Sequence, residues 1–123
     1  MKLTLDAGSP ANLIRGYSGD EVRIGSHSVR GSCIVTADTL ITSWEPQSFA
    51  ELAAPHLEAI LALGPELVIL GTGPRQQFPP AEVRAWAGTR GVALEAMALG
   101  PACRTFNVLV QEQRRVAAGL FLR

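Results

Sequence analysis

The sequence lacks net charge: 11 Lys and Arg stand against 11 Asp and Glu in 123 residues. Nothing general draws such a chain onto phosphates, so a nucleic-acid face is not expected. Lysine is nearly missing. Lys2 is the only one, and the other ten basic residues are arginines. Arginine forks suit carboxylates and phosphates, although a GC-rich genome produces the same bias. Two cysteines, Cys33 and Cys103, stand seventy residues apart with no C-x-x-C pair, so neither a redox motif nor a metal knuckle is present. Two free buried thiols in a reducing compartment are expected. The two histidines, His27 and His56, have no clustered carboxylates beside them. Neither a metal site nor a cofactor is therefore expected. The longest strongly apolar runs, Leu67–Leu70 and Val116–Leu122, fall far short of the ~20 residues that a membrane helix needs. MKLTLDAGSP has no apolar leader segment. The expected location is cytoplasmic, without direct membrane insertion.

What is present is enough apolar sequence for a core: 47% hydrophobic against 18% charged. One domain is expected over 1–123, with a β-rich part at 1–45 and alternating helix and strand at 46–123. In the first part Ile14 to Tyr17 is followed by the turn cluster Ser18-Gly19-Asp20. Val22 and Ile24 alternate with charged neighbours, as in a half-buried strand. After a reversal at Gly25-Ser26, Val29 to Val35 reads as one long strand bulged at Gly31. Another turn at Ala37-Asp38 favours antiparallel pairing.

Near Pro46 the period changes. Ser48 and Glu51 form a capping-box pattern. Phe49, Leu52, Leu57 and Ile60 follow at near-helical spacing. Pro55 interrupts them, which predicts a kink or two short helices. Leu67–Leu70 and Val92–Met97 read as buried parallel strands around a helix opened by Pro79-Pro80. A last helix with Pro101 in its first turn runs to about Gln113, and Val116–Leu122 closes the chain as a strand. The expected fold class is α/β, a mixed central sheet with packed helices and a β-rich N-terminal part.

The two parallel strands point their carboxyl ends to one edge, where open α/β sheets bind ligands. Two loops fall there: Gly71-Thr72-Gly73-Pro74-Arg75, and Leu99-Gly100-Pro101 leading to Cys103, Arg104 and Thr105. Glycines admit close approach, and a helix N-terminus with Arg75 and Arg104 suits an anion. The candidate ligand-binding residues are Gly71, Thr72, Gly73, Arg75, Arg104, Thr105 and Asn107. The glycines do not make a dinucleotide fingerprint, because position 76 is Gln, nor a phosphate-binding P-loop. Tight-turn glycines explain the same pattern. A further alternative is a structural latch in which Arg104, Thr105 and Asn107 satisfy buried backbone groups. No catalytic residue is assigned. Cys103 would need a base that nothing in the sequence places beside it, and Glu95 interrupts an apolar strand without a paired carboxylate.

At these residues the chain resembles a known family. The carrying features are Leu70-Gly71-Thr72-Gly73, Glu95-Ala96-Met97, Ala102-Cys103-Arg104-Thr105-Phe106-Asn107-Val108-Leu109, Glu112 and Arg114-Arg115-Val116-Ala117-Ala118, with Trp44 upstream. They are similar to a small group of bacterial and archaeal proteins of unknown function. Its eukaryotic relatives are mitochondrial assembly factors for respiratory complex I. The chain departs from that pattern at four places: Ser43 stands where Asp is common, Leu99 for Thr, Phe106 for Tyr and Gln113 for Gly. The resemblance implies a mixed sheet with helices and an added β-rich part, and a protein partner rather than a reaction. The expectation is a non-catalytic binding protein that assists assembly of a respiratory or other membrane-associated complex. The rival is a small-molecule or anion-binding domain, a degenerate enzyme, using the loops at 71–75 and 99–105. The oligomeric state is left open.

Overall fold

The computed structural model describes residues 1–4 and 11–123. Residues 5–10 of the β-rich stretch lie outside the described residues. In chain order come β1 (Lys2–Thr4), β2 (Ile14–Tyr17), β3 (Val22–Ile24), β4 (His27–Val29), β5 (Cys33–Thr36) and β6 (Thr39–Ile41). Two 3-10 turns follow, Phe49–Glu51 and Ala54–Leu57. Then come α1 (Glu58–Leu61), β7 (Leu67–Thr72), α2 (Ala81–Thr89), β8 (Ala93–Met97), α3 (Leu99–Gln111) and β9 (Val116–Phe121).

The strands form two sheets. The larger has six strands in the order β1-β6-β5-β9-β7-β8, and the smaller is the β2-β3-β4 meander. The larger sheet is mixed, because β9 pairs antiparallel with β5 and parallel with β7. Strand β7 also pairs parallel with β8, Leu67 beside Ala93 through Gly71 beside Met97. This is the expected α/β class, with the parallel strands where the alternating helix and strand pattern places them.

Period-two alternation sends successive residues of the larger sheet to opposite faces. Cys33, Val35, Ile69, Ala118 and Leu120 face one core. Ile34, Val68, Leu70, Ala117 and Phe121 face another. The first core is closed by α3, through Ala102, Cys103, Phe106 and Val110, and by Ile14, Val22, Ile24 and Val29 of the small sheet. The second is closed by Trp44, Phe49, Leu57, Ile60 and Val83. There Trp44 meets Phe121 tilted and Phe49 meets it edge to face, with ring centroids 5.1 and 5.7 Å apart. Trp44 lies so close over Gly119 that a Cβ there would meet its ring at 2.9 Å.

Three details differ from the sequence expectation. Val29 to Val35 is not one strand. Val29 ends β4 in the small sheet and Cys33 begins β5 in the large one. Gly31 is in the connection and not a bulge. The buried Ser32 hydroxyl anchors that connection against the carbonyls of Trp44 (3.0 Å) and Pro46. Strand β8 is not buried: it is the edge of the sheet, with Ala93 and Glu95 exposed. Ser48 does not cap the following backbone. Its hydroxyl instead donates to the Glu51 carboxylate at 3.2 Å, because the chain there makes a single 3-10 turn. Around Pro55 the expected interruption takes the two-helix form, a 3-10 turn running into α1. His56 Nδ1 accepts the Ala53 N–H there at 3.0 Å.

Cys33 and Cys103 are free and buried in the first core. Burial pushes the Cys33 thiol up to about 12, with a further push from Cys103. Burial likewise raises Cys103 to about 12, against a small opposing pull from Arg104. Both are protonated thiols at neutral pH, so the helix start does not activate Cys103. A thiol raised on folding adds stability that is complete below its unfolded pKa, near 9. That stability is lost as pH rises toward 12. The urea midpoint should therefore fall steeply from about pH 9 upward. A Cys33→Ala/Cys103→Ala variant should be less stable at pH 7 but show a flatter alkaline limb. Parallel slopes for the two proteins between pH 8 and pH 11 would refute this.

Candidate functional site

The two predicted loops meet at the carboxyl end of β7, but their residues divide into two groups. Gly71 is packed against α3. A Cβ there would lie 3.0 Å from Leu120 and 3.2 Å from Ala102. Thr72 is fully buried. Its hydroxyl accepts the Gln77 N–H at 3.1 Å and faces the carbonyls of Arg75 (2.7 Å) and Met97 (3.1 Å), donating its one proton to either. Gln77 Nε2 donates to the Thr72 carbonyl and Gln76 Nε2 to that of Ala96, both at 3.0 Å. These bonds clamp the 72–77 loop to the end of β8.

Gly73 turns the chain with φ +95°, and a Cβ there would sit 2.9 Å from the Arg123 backbone. Glycine is required on both counts. The Gly73 carbonyl accepts the Leu99 N–H at 2.8 Å, so it occupies one of the free donors at the start of α3. Pro101 has no N–H, and Ala102 N–H returns to Ala98. Leu99-Gly100-Pro101 is thus the first turn of α3, not a loop before it. Within that turn, Gly100 has a backbone N–H with no acceptor among the described residues.

An open cavity of about 400 Å³ lies over this turn, lined by Gly73, Pro74, Leu99, Gly100, Arg104 and Leu122 together with Tyr17 of β2 and Gly19 of the turn after it. Arg104 Nη1 donates to the Tyr17 hydroxyl at 3.3 Å. Tyr17 also closes over Gly100, where a Cβ would meet its hydroxyl at 2.5 Å. Apolar walls with a guanidinium, a phenol and one backbone N–H suit a small carboxylate or phosphate. Of the seven candidate residues, Gly73 and Arg104 line this cavity. Gly71 and Thr72 are buried and outside its lining, Arg75 is exposed and also outside it, and Thr105 is half-buried on α3 with no side-chain hydrogen bond among the described residues. Tyr17 was not expected from sequence, since eighty-seven residues separate it from Arg104.

Asn107 has a different task. Its Oδ1 accepts the Ile14 N–H at 2.8 Å and its Nδ2 donates to the Ile14 carbonyl at 2.9 Å. The amide thereby completes the outer edge of β2 as a neighbouring strand would. Asn12 works beside it: its backbone N–H donates to the Ala37 carbonyl, and its buried side chain to those of Thr36 (3.0 Å) and Thr39 (3.4 Å).

Among the described residues no group of three or more His, Cys, Asp or Glu could hold a metal, and no helix is long and apolar enough to cross a membrane. Residues 14–121 match the family model described as protein of unknown function (DUF498/DUF598). A Francisella tularensis protein called 13 kDa major membrane protein is 42% identical over 62 residues, 50% of each chain. The Danio rerio NADH dehydrogenase [ubiquinone] 1 alpha subcomplex assembly factor 3 is 33% identical over 114 residues, 91% of this chain. This chain spans 65% of that relative's length. A Xanthomonas campestris structure solved by NMR is 37% identical with TM-score 0.84, covering 96% of this chain and 89% of that one.

Because both Ile14 groups lose their partner together, Asn107→Ala should cost about 1–3 kcal/mol in urea unfolding. Asn107→Asp keeps an acceptor but sets a carboxylate against the Ile14 carbonyl. Its penalty should shrink as the pH is lowered and the carboxyl protonates. A pH-independent penalty for Asn107→Asp, relative to wild type, would show that the amide donor is not engaged.

Proposed function

The chain belongs to the DUF498/DUF598 family, and from that premise we propose that it is a non-catalytic binding protein that assists assembly of a respiratory or other membrane-associated complex. The observation that carries this reading is the match along 91% of the chain to a protein named as a complex I assembly factor. A protein partner is the expected ligand. Deleting the gene in the native host should leave partly assembled respiratory complexes on native electrophoresis, restored by the wild-type gene. Unchanged complexes would overturn the reading.

A second reading is favoured by one observation, the cavity that brings Arg104 and Tyr17 over the Gly100 N–H. There the chain binds a small organic anion. Titration with benzoate should shift the Gly100 amide resonance. Arg104→Ala should weaken that effect at least about tenfold, while stability changes by less than about 0.5 kcal/mol, as for other exposed positions. A stability loss without any ligand effect would make Arg104 structural.

A further inference from the structure

Strand β8 leaves one edge of the large sheet open. Successive carbonyls of a strand point to opposite edges. The Met97 carbonyl is turned to Thr72 of β7, so those of Leu94 and Ala96 face outward. Gln76 covers the Ala96 carbonyl. The Leu94 N–H and carbonyl and the Ala96 N–H have no partner among the described residues. Leu94 and Ala96 themselves pack on the core under α2, which holds this edge in place. On the opposite face Glu95 is exposed at the middle of the strand and has no ion pair or side-chain hydrogen bond among the described residues.

Open edges of this kind recruit strands, and natural sheets usually blunt them. The charge here is selective. Pairing all five residues of β8 antiparallel with a second copy sets Glu95 opposite Glu95, a like-charge contact that disfavours self-association. A strand carrying Lys or Arg at that position meets the opposite sign. We propose that β8 is a docking edge for an extended segment of another protein, added as a seventh strand, with a basic residue opposite Glu95 and apolar residues flanking it. This deepens the protein-binding reading and rests on it.

The test uses two capped heptapeptides of alternating Val and Thr, one with central Lys and one with central Glu, added to the full chain. The Lys peptide should shift the Leu94 and Ala96 amide resonances and slow their hydrogen exchange. It should bind about tenfold more tightly than the Glu peptide. Glu95→Lys, at an exposed position, should reverse that preference. The proposal is overturned if neither peptide perturbs β8 or if the charge swap changes nothing. It is also overturned if the same amides become protected with rising protein concentration alone, which would make a second copy the occupant. The two readings fail separately. An assembly defect on gene deletion without peptide binding at β8 rejects the edge alone. Peptide binding with no such defect rejects the assembly role and leaves the edge standing.

Discussion

Two asparagine amides hold the small sheet to the rest of the molecule, and the cavity depends on them. A meander of three- and four-residue strands is marginal by itself. It is retained because Ile14, Val22, Ile24 and Val29 share a core with α3 and the large sheet. Burying them brings the outer edge of β2 against a helix, which has no backbone groups to offer. Asn107 supplies one donor and one acceptor at that point, and the Asn12 amide donates to the Thr36 and Thr39 carbonyls at the β5–β6 turn. Tyr17 is three residues beyond Ile14 on the same strand. Its place over Gly100 and Arg104 is therefore set by the amide, not by its own loose 3.3 Å contact.

Much of the fold was legible because local signals agreed. The order β7-α2-β8-α3-β9 follows from apolar runs punctuated by Gly64-Pro65, Pro79-Pro80, Gly91 and Pro101. The break between β4 and β5 was not legible, for a physical reason. Val29, Cys33 and Val35 all face the same core, so the alternation passes through the break unchanged. The edge position of β8 was hidden by its small apolar residues, with Glu95 as its one local sign. In the site, glycine and helix-start chemistry identified Gly73 and Arg104. Neither Tyr17 nor the Ile14 partner of Asn107 leaves any mark near them in sequence.

The four departures from the family pattern also become physical. Ser43 and Gln113 have φ of 60° and 63°, the non-glycine residues with left-handed backbone among those described. Asp and Gly, common there in the pattern the sequence resembles, adopt that conformation more readily than Ser and Gln. At Gln113 it ends α3: Gln113 N–H returns to Val110 and Arg114 N–H to Leu109, closing the helix. Leu99 and Phe106 are buried apolar residues of α3. Leu99 also lines the cavity, whereas Phe106 is fully buried in the first core and does not.

The Thr72 latch links the cavity to the open edge of the sheet. Its hydroxyl and the Gln76 amide tie the 72–77 loop to the carbonyls of Met97 and Ala96 at the end of β8, while Gln77 closes the loop on the Thr72 carbonyl. The next residue, Gly73, binds the first N–H of α3 and forms part of the cavity wall. A strand added along β8 would compete with Gln76 for the Ala96 carbonyl. Anything filling the cavity would press on Gly73 and Pro74 at the other end of the same loop. The six-residue 72–77 loop thus lies between the two surfaces, with Gly73 and Pro74 at the cavity and Thr72 and Gln76 at the end of β8.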